Sequence, residues 1–179
     1  RSYAHELPVC MSCGVESHRV EVGHTWRTLG EGRSCLPSEA QAAGLLLLRQ
    51  DVRALNENIV SQGATALRAA VADGLLDAVG GEVDWVLPHI SSFHFMPEFE
   101  ASIQQVLGVP PERVWTNLRE VGNVGAASAF LLLHGALGPS GPGLKVGDRV
   151  LLVVPESGVF SYHFVMLTVC GGGNGIGKD

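Results

Sequence analysis

Polar residues stand at three places where an apolar stretch of the chain ends or a helical stretch begins. His89 follows the apolar run that closes with Pro88, and Asn123 precedes an Ala- and Ser-rich stretch. A Glu-Ser-Gly group at 156–158 follows a further apolar run. Side chains and free backbone N–H groups at such ends face clefts, so they can donate hydrogen bonds to a ligand. The candidate site residues are His89, Asn123, Ser157 and Gly158.

Alternating helices and strands must position these residues. Apolar residues recur at spacings of three and four over 51–76, which predicts a helix that Gly80 and Gly81 end. The mostly apolar run at 83–87 is typical of a strand buried on both faces. The pattern also predicts helices over 97–107 and 123–137, the latter packed inside the domain, and strands over 7–11, 19–22, 114–115, 149–154 and 159–169. This alternation favours an α/β fold with layered helices and strands.

The composition indicates one compact domain over 1–170, followed by a mobile Gly-rich tail over 171–179. The chain has 179 residues and a formal charge of −6, so it offers no basic stripe for nucleic acid. Its apolar runs fall far short of the roughly 20 residues that a membrane helix needs. Because the chain opens with Arg1 instead of Met, we expect a fragment or a processed chain.

The cysteines form no convincing metal or catalytic site. They lie at Cys10, Cys13, Cys35 and Cys170. A zinc site built on the Cys-x-x-Cys pair with His18, His24 and Cys35 is a weak alternative, because the further ligands are scattered at irregular intervals. None of the cysteines follows a strand-to-helix elbow that would lower a thiol pKa. We therefore expect buried structural thiols and no metal.

Three segments carry a resemblance when they are taken together. They are Leu-Pro-His-Ile-Ser-Ser at 87–92, Val-Gly-Asn-Val-Gly-Ala-Ala-Ser at 121–128, and Gly-Asp-Arg-Val-Leu-Leu at 147–152 with the turn at 156–158. Their order and spacing resembles the C-terminal half of a ketoacyl-acyl-carrier-protein synthase III, a condensing enzyme of the thiolase superfamily. The resemblance covers about 50–169. It implies the C-terminal half of a thiolase-like layered α/β/α sandwich.

The resemblance also implies a reaction, the decarboxylative Claisen condensation of an acyl thioester with a malonyl-acyl-carrier-protein thioester. His89 and Asn123 would form the oxyanion hole for the enolate, because two rigidly held neutral donors stabilise such a charge best. The backbone at Ser157 and Gly158 would stabilise the later tetrahedral oxyanion. The cysteine nucleophile belongs to the N-terminal half of the family's fold, so this chain is expected to be inactive without that half.

The implied partners follow from the same resemblance. They are acyl carrier protein, acyl-coenzyme A or acyl-carrier-protein thioesters as substrates, the N-terminal half, and a second copy in a homodimer of the complete enzyme. The resemblance implies no cofactor and no contact with nucleic acid or a membrane. It implies a cytoplasmic enzyme of fatty acid or polyketide biosynthesis. His94 replaces an arginine that helps to dock the carrier protein in the family.

Two alternatives remain open. Departures from the family pattern at Ile90-Ser91-Ser92 and Glu156 suit a related enzyme of secondary metabolism that joins an acyl group to another nucleophile. A noncatalytic partner subunit would keep the fold without turnover. Phe93, Phe95 and Phe99 are expected to line the core or an acyl tunnel and to take no part in the chemistry.

Overall fold

The computed structural model of the chain describes residues 15–19, 26–28, 48–77, 80–156 and 160–170. The strands are β1 (Val15–Arg19), β2 (Trp26–Thr28), β3 (Leu48–Gln50), β4 (Trp85–Pro88), β5 (Arg149–Glu156) and β6 (Ser161–Thr168). The helices are α1 (Val52–Ala72), α2 (Met96–Leu107), α3 (Leu118–Val121) and α4 (Ser128–Leu137), with 3₁₀ turns at Phe93–Phe95, Pro111–Arg113 and Gly125–Ala127.

The main sheet has four strands in the order β1-β6-β5-β4. β4 runs parallel to β5, with Val86 opposite Leu151, and β5 pairs with β6 in the antiparallel direction. The connection from β4 to β5 contains α2, α3 and α4. The predicted strand at 114–115 is reduced to a single parallel bridge between Val114 and Val86.

Residues of this sheet alternate between two apolar cores on its opposite faces. On one face, α1 and α2 cover a core that includes Val86, Leu151, Val153, Tyr162, Phe164 and Met166. On the other face, α4 covers a core of Trp85, Leu87, Leu132, Ala136, Val150 and Leu152. All four residues of β4 are buried, as expected for a strand covered on both sides. The predicted α/β/α layering is confirmed.

The first helix ends earlier than the sequence predicts. Asp51 caps its start, because the Asp51 Oδ1 atom accepts a hydrogen bond of 2.9 Å from the Ala54 N–H. The helix ends at Ala72, and Gly74 then adopts a left-handed φ of +96°. This turn buries Leu75 in the core. The prediction that Gly80 and Gly81 end the helix is therefore wrong.

The N-terminal strands also differ from the prediction. The strand expected to begin at 19 begins earlier, since β1 starts at Val15 and pairs with β6 through Arg19, whereas 20–22 lie outside the described residues. β2 and β3 form a separate two-stranded sheet that the sequence did not predict. Strands this short, and a largely polar edge strand, carry little apolar alternation. The strand expected over 7–11 and the tail at 171–179 lie outside the described residues.

The last helix has an uncovered apolar face. α4 begins at Ser128, after a 3₁₀ turn, and not at Asn123 as predicted. Phe130 is 72% exposed and Leu137 is 69% exposed, so the expectation of a helix packed wholly inside is wrong. Among the described residues nothing covers this face. No helix in the described part of the chain combines the length and apolarity needed to cross a membrane.

Candidate active site

His89 lies at the carboxyl end of β4. Its backbone N–H donates a hydrogen bond of 2.8 Å to the carbonyl of Val153, which extends the pairing of β4 with β5 by one residue. The side chain is half-buried, and desolvation lowers the pKa of His89 below its ordinary value. The imidazole is therefore neutral near pH 7. Neither ring nitrogen has a hydrogen-bond partner among the described residues, so a ring N–H is available to a ligand.

Asn123 lies in the loop before α4, within the connection between β4 and β5. Its Oδ1 atom accepts a hydrogen bond of 3.0 Å from the Gly125 N–H, which leaves the exposed Nδ2 group without a partner in the described ranges. Gly122, with a φ of +73°, gives the chain a turn that other residues rarely adopt. The loop is further held by a 3.2 Å hydrogen bond from the Val124 N–H to the Ser128 Oγ atom.

A small polar depression is lined by His89 and by the residue next to Asn123. His89 lines it, and so does Gly122, which directly precedes Asn123. Its volume is about 10 Å³, which is space for roughly one water-sized group such as a single oxygen atom. Asn123 itself does not line it. The convergence of the His89 and Asn123 side chains on one shared oxygen therefore stays a prediction.

The depression also contains residues that the sequence analysis missed. Asn117 and Ser128 both line it, and the Asn117 Nδ2 group donates a 3.0 Å hydrogen bond to the carbonyl of Leu131 in α4. A Cβ atom at Gly135 would lie 3.2 Å from that Nδ2 atom, so the glycine permits this close contact. The Asn-Leu-Arg-Glu sequence starting at 117 resembles a capping box, in which a polar residue at the start of a helix is followed three positions later by Glu. This pattern could have identified Asn117 from the sequence.

The other candidate residues have different outcomes. Ser157 and Gly158 lie outside the described residues, as do Cys10, Cys13 and Cys35. Cys170 is exposed just beyond β6, where the chain leaves the sheet, so the expectation of a buried thiol is wrong there. In the part of the chain that the structure describes, no three or more His, Cys, Asp or Glu side chains are grouped to hold a metal ion.

His89 also lines an apolar cavity between α1, α2 and the sheet. The volume of this cavity is about 50 Å³. Its walls include Ala64, Leu67, Phe95, Phe99, Ile103 and Phe164. The expected packing of Phe95 and Phe99 against the core is confirmed. Phe93 does not pack in this core, because it is 45% exposed and contacts the guanidinium of Arg119, so only the acyl-tunnel alternative stays a prediction for it.

The sequence of the chain is similar to one family model and to curated proteins of the same kind. A family model described as 3-Oxoacyl-[acyl-carrier-protein (ACP)] synthase III C terminal matches residues 77–167. The chain is 35% identical over 91 residues to the beta-ketoacyl-[acyl-carrier-protein] synthase III 3 of Streptomyces coelicolor, covering 49% of this chain and 25% of that protein. It is 31% identical over 102 residues to a beta-ketoacyl-[acyl-carrier-protein] synthase III of Oleidesulfovibrio alaskensis, covering 55% and 29%.

The fold has the same relatives. The crystal structure of a 3-oxoacyl-(acyl carrier protein) synthase III from Pseudomonas aeruginosa PAO1 superposes with a TM-score of 0.59 at 23% identity. The superposition covers 88% of this chain and 44% of that enzyme. The chain therefore spans less than half the length of the relatives it matches. His89 and Asn123 both lie within the region that the family model covers.

Proposed function

Because the chain belongs to the family of 3-oxoacyl-[acyl-carrier-protein] synthase III C-terminal domains, we propose that it supplies the enolate-stabilising part of a condensing enzyme's active site. The reaction is the decarboxylative Claisen condensation of an acyl thioester with a malonyl-acyl-carrier-protein thioester. One observation carries the proposal. A neutral, half-buried His89 shares a depression of about one oxygen's size with Gly122, next to Asn123.

Neutral hydrogen-bond donors suit the first step of this reaction. When the malonyl group loses CO₂, the electron pair of the broken C–C bond forms an enolate, and negative charge grows on the thioester oxygen. An N–H of His89 and the Nδ2 group of Asn123 stabilise this oxygen more as its charge grows, which lowers the barrier. Burial keeps the imidazole neutral, so it does not bind the departing carboxylate as a cation would.

The second step uses groups beyond the described residues. The enolate carbon attacks the carbonyl carbon of an acyl-cysteine, and the tetrahedral oxyanion accepts hydrogen bonds from the backbone at Ser157 or Gly158. When this intermediate collapses, the acyl C–S bond breaks and the cysteine leaves as a thiolate. These two residues directly follow Glu156, the last residue of β5. The cysteine belongs to the N-terminal half of the enzyme. The bonds made and broken need no redox cofactor, and thioesters of acyl carrier protein or coenzyme A are the substrates.

The N-terminal half of the synthase is the partner that fits the uncovered side of α4. Phe130 and Leu137 expose apolar side chains there, and an adjoining apolar pocket of about 250 Å³ is lined by Leu133, Leu137 and Leu144. An apolar face of this kind marks an interface. The chain covers 44% of the Pseudomonas aeruginosa enzyme, so most of such a protein is left to cover this face. The complete enzyme is proposed to form a homodimer.

The test separates the two steps in the complete enzyme. His89→Ala removes one donor, and Asn123→Asp keeps the Oδ1 acceptor for the Gly125 N–H while it removes the donating amide. We expect each to slow CO₂ release from malonyl thioester by about 10² or more. Acylation of the cysteine by an acyl-coenzyme A, followed by mass spectrometry, should be unchanged.

Two results would count against the proposal. An equal loss of acylation and decarboxylation in folded variants would contradict separate oxyanion sites. Acyl transfer to an amine or alcohol acceptor, without CO₂ release from any malonyl thioester, would favour the related enzyme that joins acyl groups to another nucleophile.

A further inference from the structure

His89 and its neighbour Ile90 line two spaces of different chemistry. One is the polar depression with Asn117 and Gly122, and the other is the apolar cavity between α1, α2 and the sheet. We propose that this cavity holds an alkyl group of the thioester whose oxygen His89 contacts, so that the preferred nucleophile donor is a 2-alkylmalonyl thioester. The inference rests on the proposed function of His89.

The chemistry of the lining suits a hydrocarbon. Among the described residues that line the cavity, the polar side chains besides the neutral His89 are those of Ser91, Ser102 and Tyr162. The Tyr162 hydroxyl is already committed, because it donates a 2.8 Å hydrogen bond to the carbonyl of Ile59. Burial raises the pKa of Tyr162, so this side chain stays uncharged. A carboxylate or phosphate would find no cation on these walls, whereas an alkyl group loses nothing on entering.

The size of the cavity indicates a short group. Its volume of about 50 Å³ corresponds to roughly three to five water-sized spheres, which is space for a few carbon atoms. Tyr162 is part of the wall. A Cβ atom at Gly63 would lie 2.8 Å from the Cε1 atom of Tyr162, so the ring packs directly on the backbone of α1. The Tyr162 ring therefore cannot move toward this helix to admit a long chain.

The position of His89 decides which substrate uses the cavity. A thioester oxygen in the polar depression is bonded to a carbonyl carbon whose neighbour carries the malonyl carboxylate. A substituent on that neighbouring carbon begins three bonds from the oxygen, which is close enough to enter a cavity lined by the same His89 residue. The alkyl group in the cavity is therefore on the nucleophile donor and not on the acyl-cysteine.

The test compares malonyl-, methylmalonyl- and ethylmalonyl-coenzyme A as donors in the complete enzyme. Ala64 is buried on the cavity wall, so Ala64→Leu fills the space, and Ala69→Leu is the matched control because Ala69 is exposed on the same helix. We expect Ala64→Leu to lower kcat/KM for the ethylmalonyl donor about tenfold or more relative to malonyl. Ala69→Leu should leave this ratio unchanged.

A second variant changes the cavity in the opposite direction. Phe99 is only partly buried, so Phe99→Ala removes volume from the wall with less risk to folding, and Phe93→Ala is its matched control. We expect Phe99→Ala alone to shift the preference toward butylmalonyl-coenzyme A. If Ala64→Leu shows no cooperative unfolding transition, the comparison of Phe99→Ala with Phe93→Ala tests the proposed subsite instead.

A binding measurement separates this inference from the proposed function. The ligands are acetyl- and butyryl-pantetheine analogues in which CH₂ replaces the thioester sulfur, so they cannot transfer the acyl group. Calorimetry measures the affinity of the complete enzyme for each analogue. If no malonyl thioester is turned over but the butyryl analogue binds more tightly in an Ala64-dependent way, the proposed function fails and the subsite stands. If turnover occurs and the donor ratio is unaffected by both cavity variants, the subsite is overturned and the proposed function stands.

Discussion

Arg149, at the start of β5, binds the carboxylate of Asp84, which directly precedes β4. The Arg149 Nε atom lies 2.8 Å from the Asp84 Oδ2 atom, and Nη2 lies 3.1 Å from Oδ1. The backbone N–H of Arg149 also donates to Oδ2 at 2.8 Å. These contacts join two parallel strands at the end opposite to the site. They hold the register in which the His89 N–H meets the carbonyl of Val153.

Removing this contact should destabilise the protein in a pH-dependent way. The hydrogen bond from Arg149 holds the pKa of Asp84 below its usual range, so the carboxylate stabilises the folded state. We expect Asp84→Ala to lower the melting temperature more than Glu82→Ala does, because the Glu82 side chain is 74% exposed. The stability difference from the unmutated protein should be constant above about pH 4 and shrink as the pH falls through the lowered pKa. A difference that does not vary with pH would contradict the assignment.

His89 should make the protein less stable in mild acid. Its folded-state pKa is lowered by burial, so the unfolded chain binds a proton that the folded protein does not bind. Between the unfolded value of about 6.5 and the folded value, stability should therefore fall as the pH falls. We expect His89→Gln to weaken this dependence in urea unfolding experiments. An NMR titration midpoint of the His89 ring at or above about 6.5 would show that the side chain is not desolvated.

The contact between α1 and β6 should be sensitive to one methyl group. We expect Gly63→Ala to lower the free energy of unfolding by about 1–3 kcal/mol, because the new Cβ atom would meet the Tyr162 ring at 2.8 Å. Tyr162→Phe keeps the ring and removes the hydrogen bond to Ile59, so its cost should be about 1 kcal/mol. Tyr162→Val should relieve the clash. If the Gly63→Ala and Tyr162→Val costs were additive in the double variant, the clash would not be the cause.

The chain by itself should associate through α4 and show no condensing activity. Phe130 and Leu137 expose apolar surface there, and their burial against another chain is favourable. We expect sedimentation velocity to show dimers or larger species, and Phe130→Glu with Leu137→Glu to give a monomer. Val52→Glu is the control, because Val52 is 56% exposed on a different helix. Stoichiometric acylation of Cys170 in the chain alone, followed by turnover with a malonyl thioester, would show that the nucleophile has been misplaced.

Much of the fold follows from local patterns in the sequence. All four residues of β4 are apolar because both faces of the strand are covered, and the three-four spacing along α1 reflects one buried face. The end of α1 was missed because Gly74, one glycine among many, takes the left-handed turn. β2 and β3 were missed because three-residue strands are too short for a periodic signal.

The sequence alone identified the fold class, the family resemblance and the candidates His89 and Asn123, since each depends on residue types at short spacing. Only the tertiary structure decided that His89 lines both a polar depression and an apolar cavity, and that Asn117 belongs to the former. It also decided that one face of α4 is uncovered. The physical reason is distance along the chain. Tyr162 and Ile59 both line the cavity and are joined by a hydrogen bond, although they lie 103 positions apart, and no local periodicity encodes a contact made by the packing of separate elements.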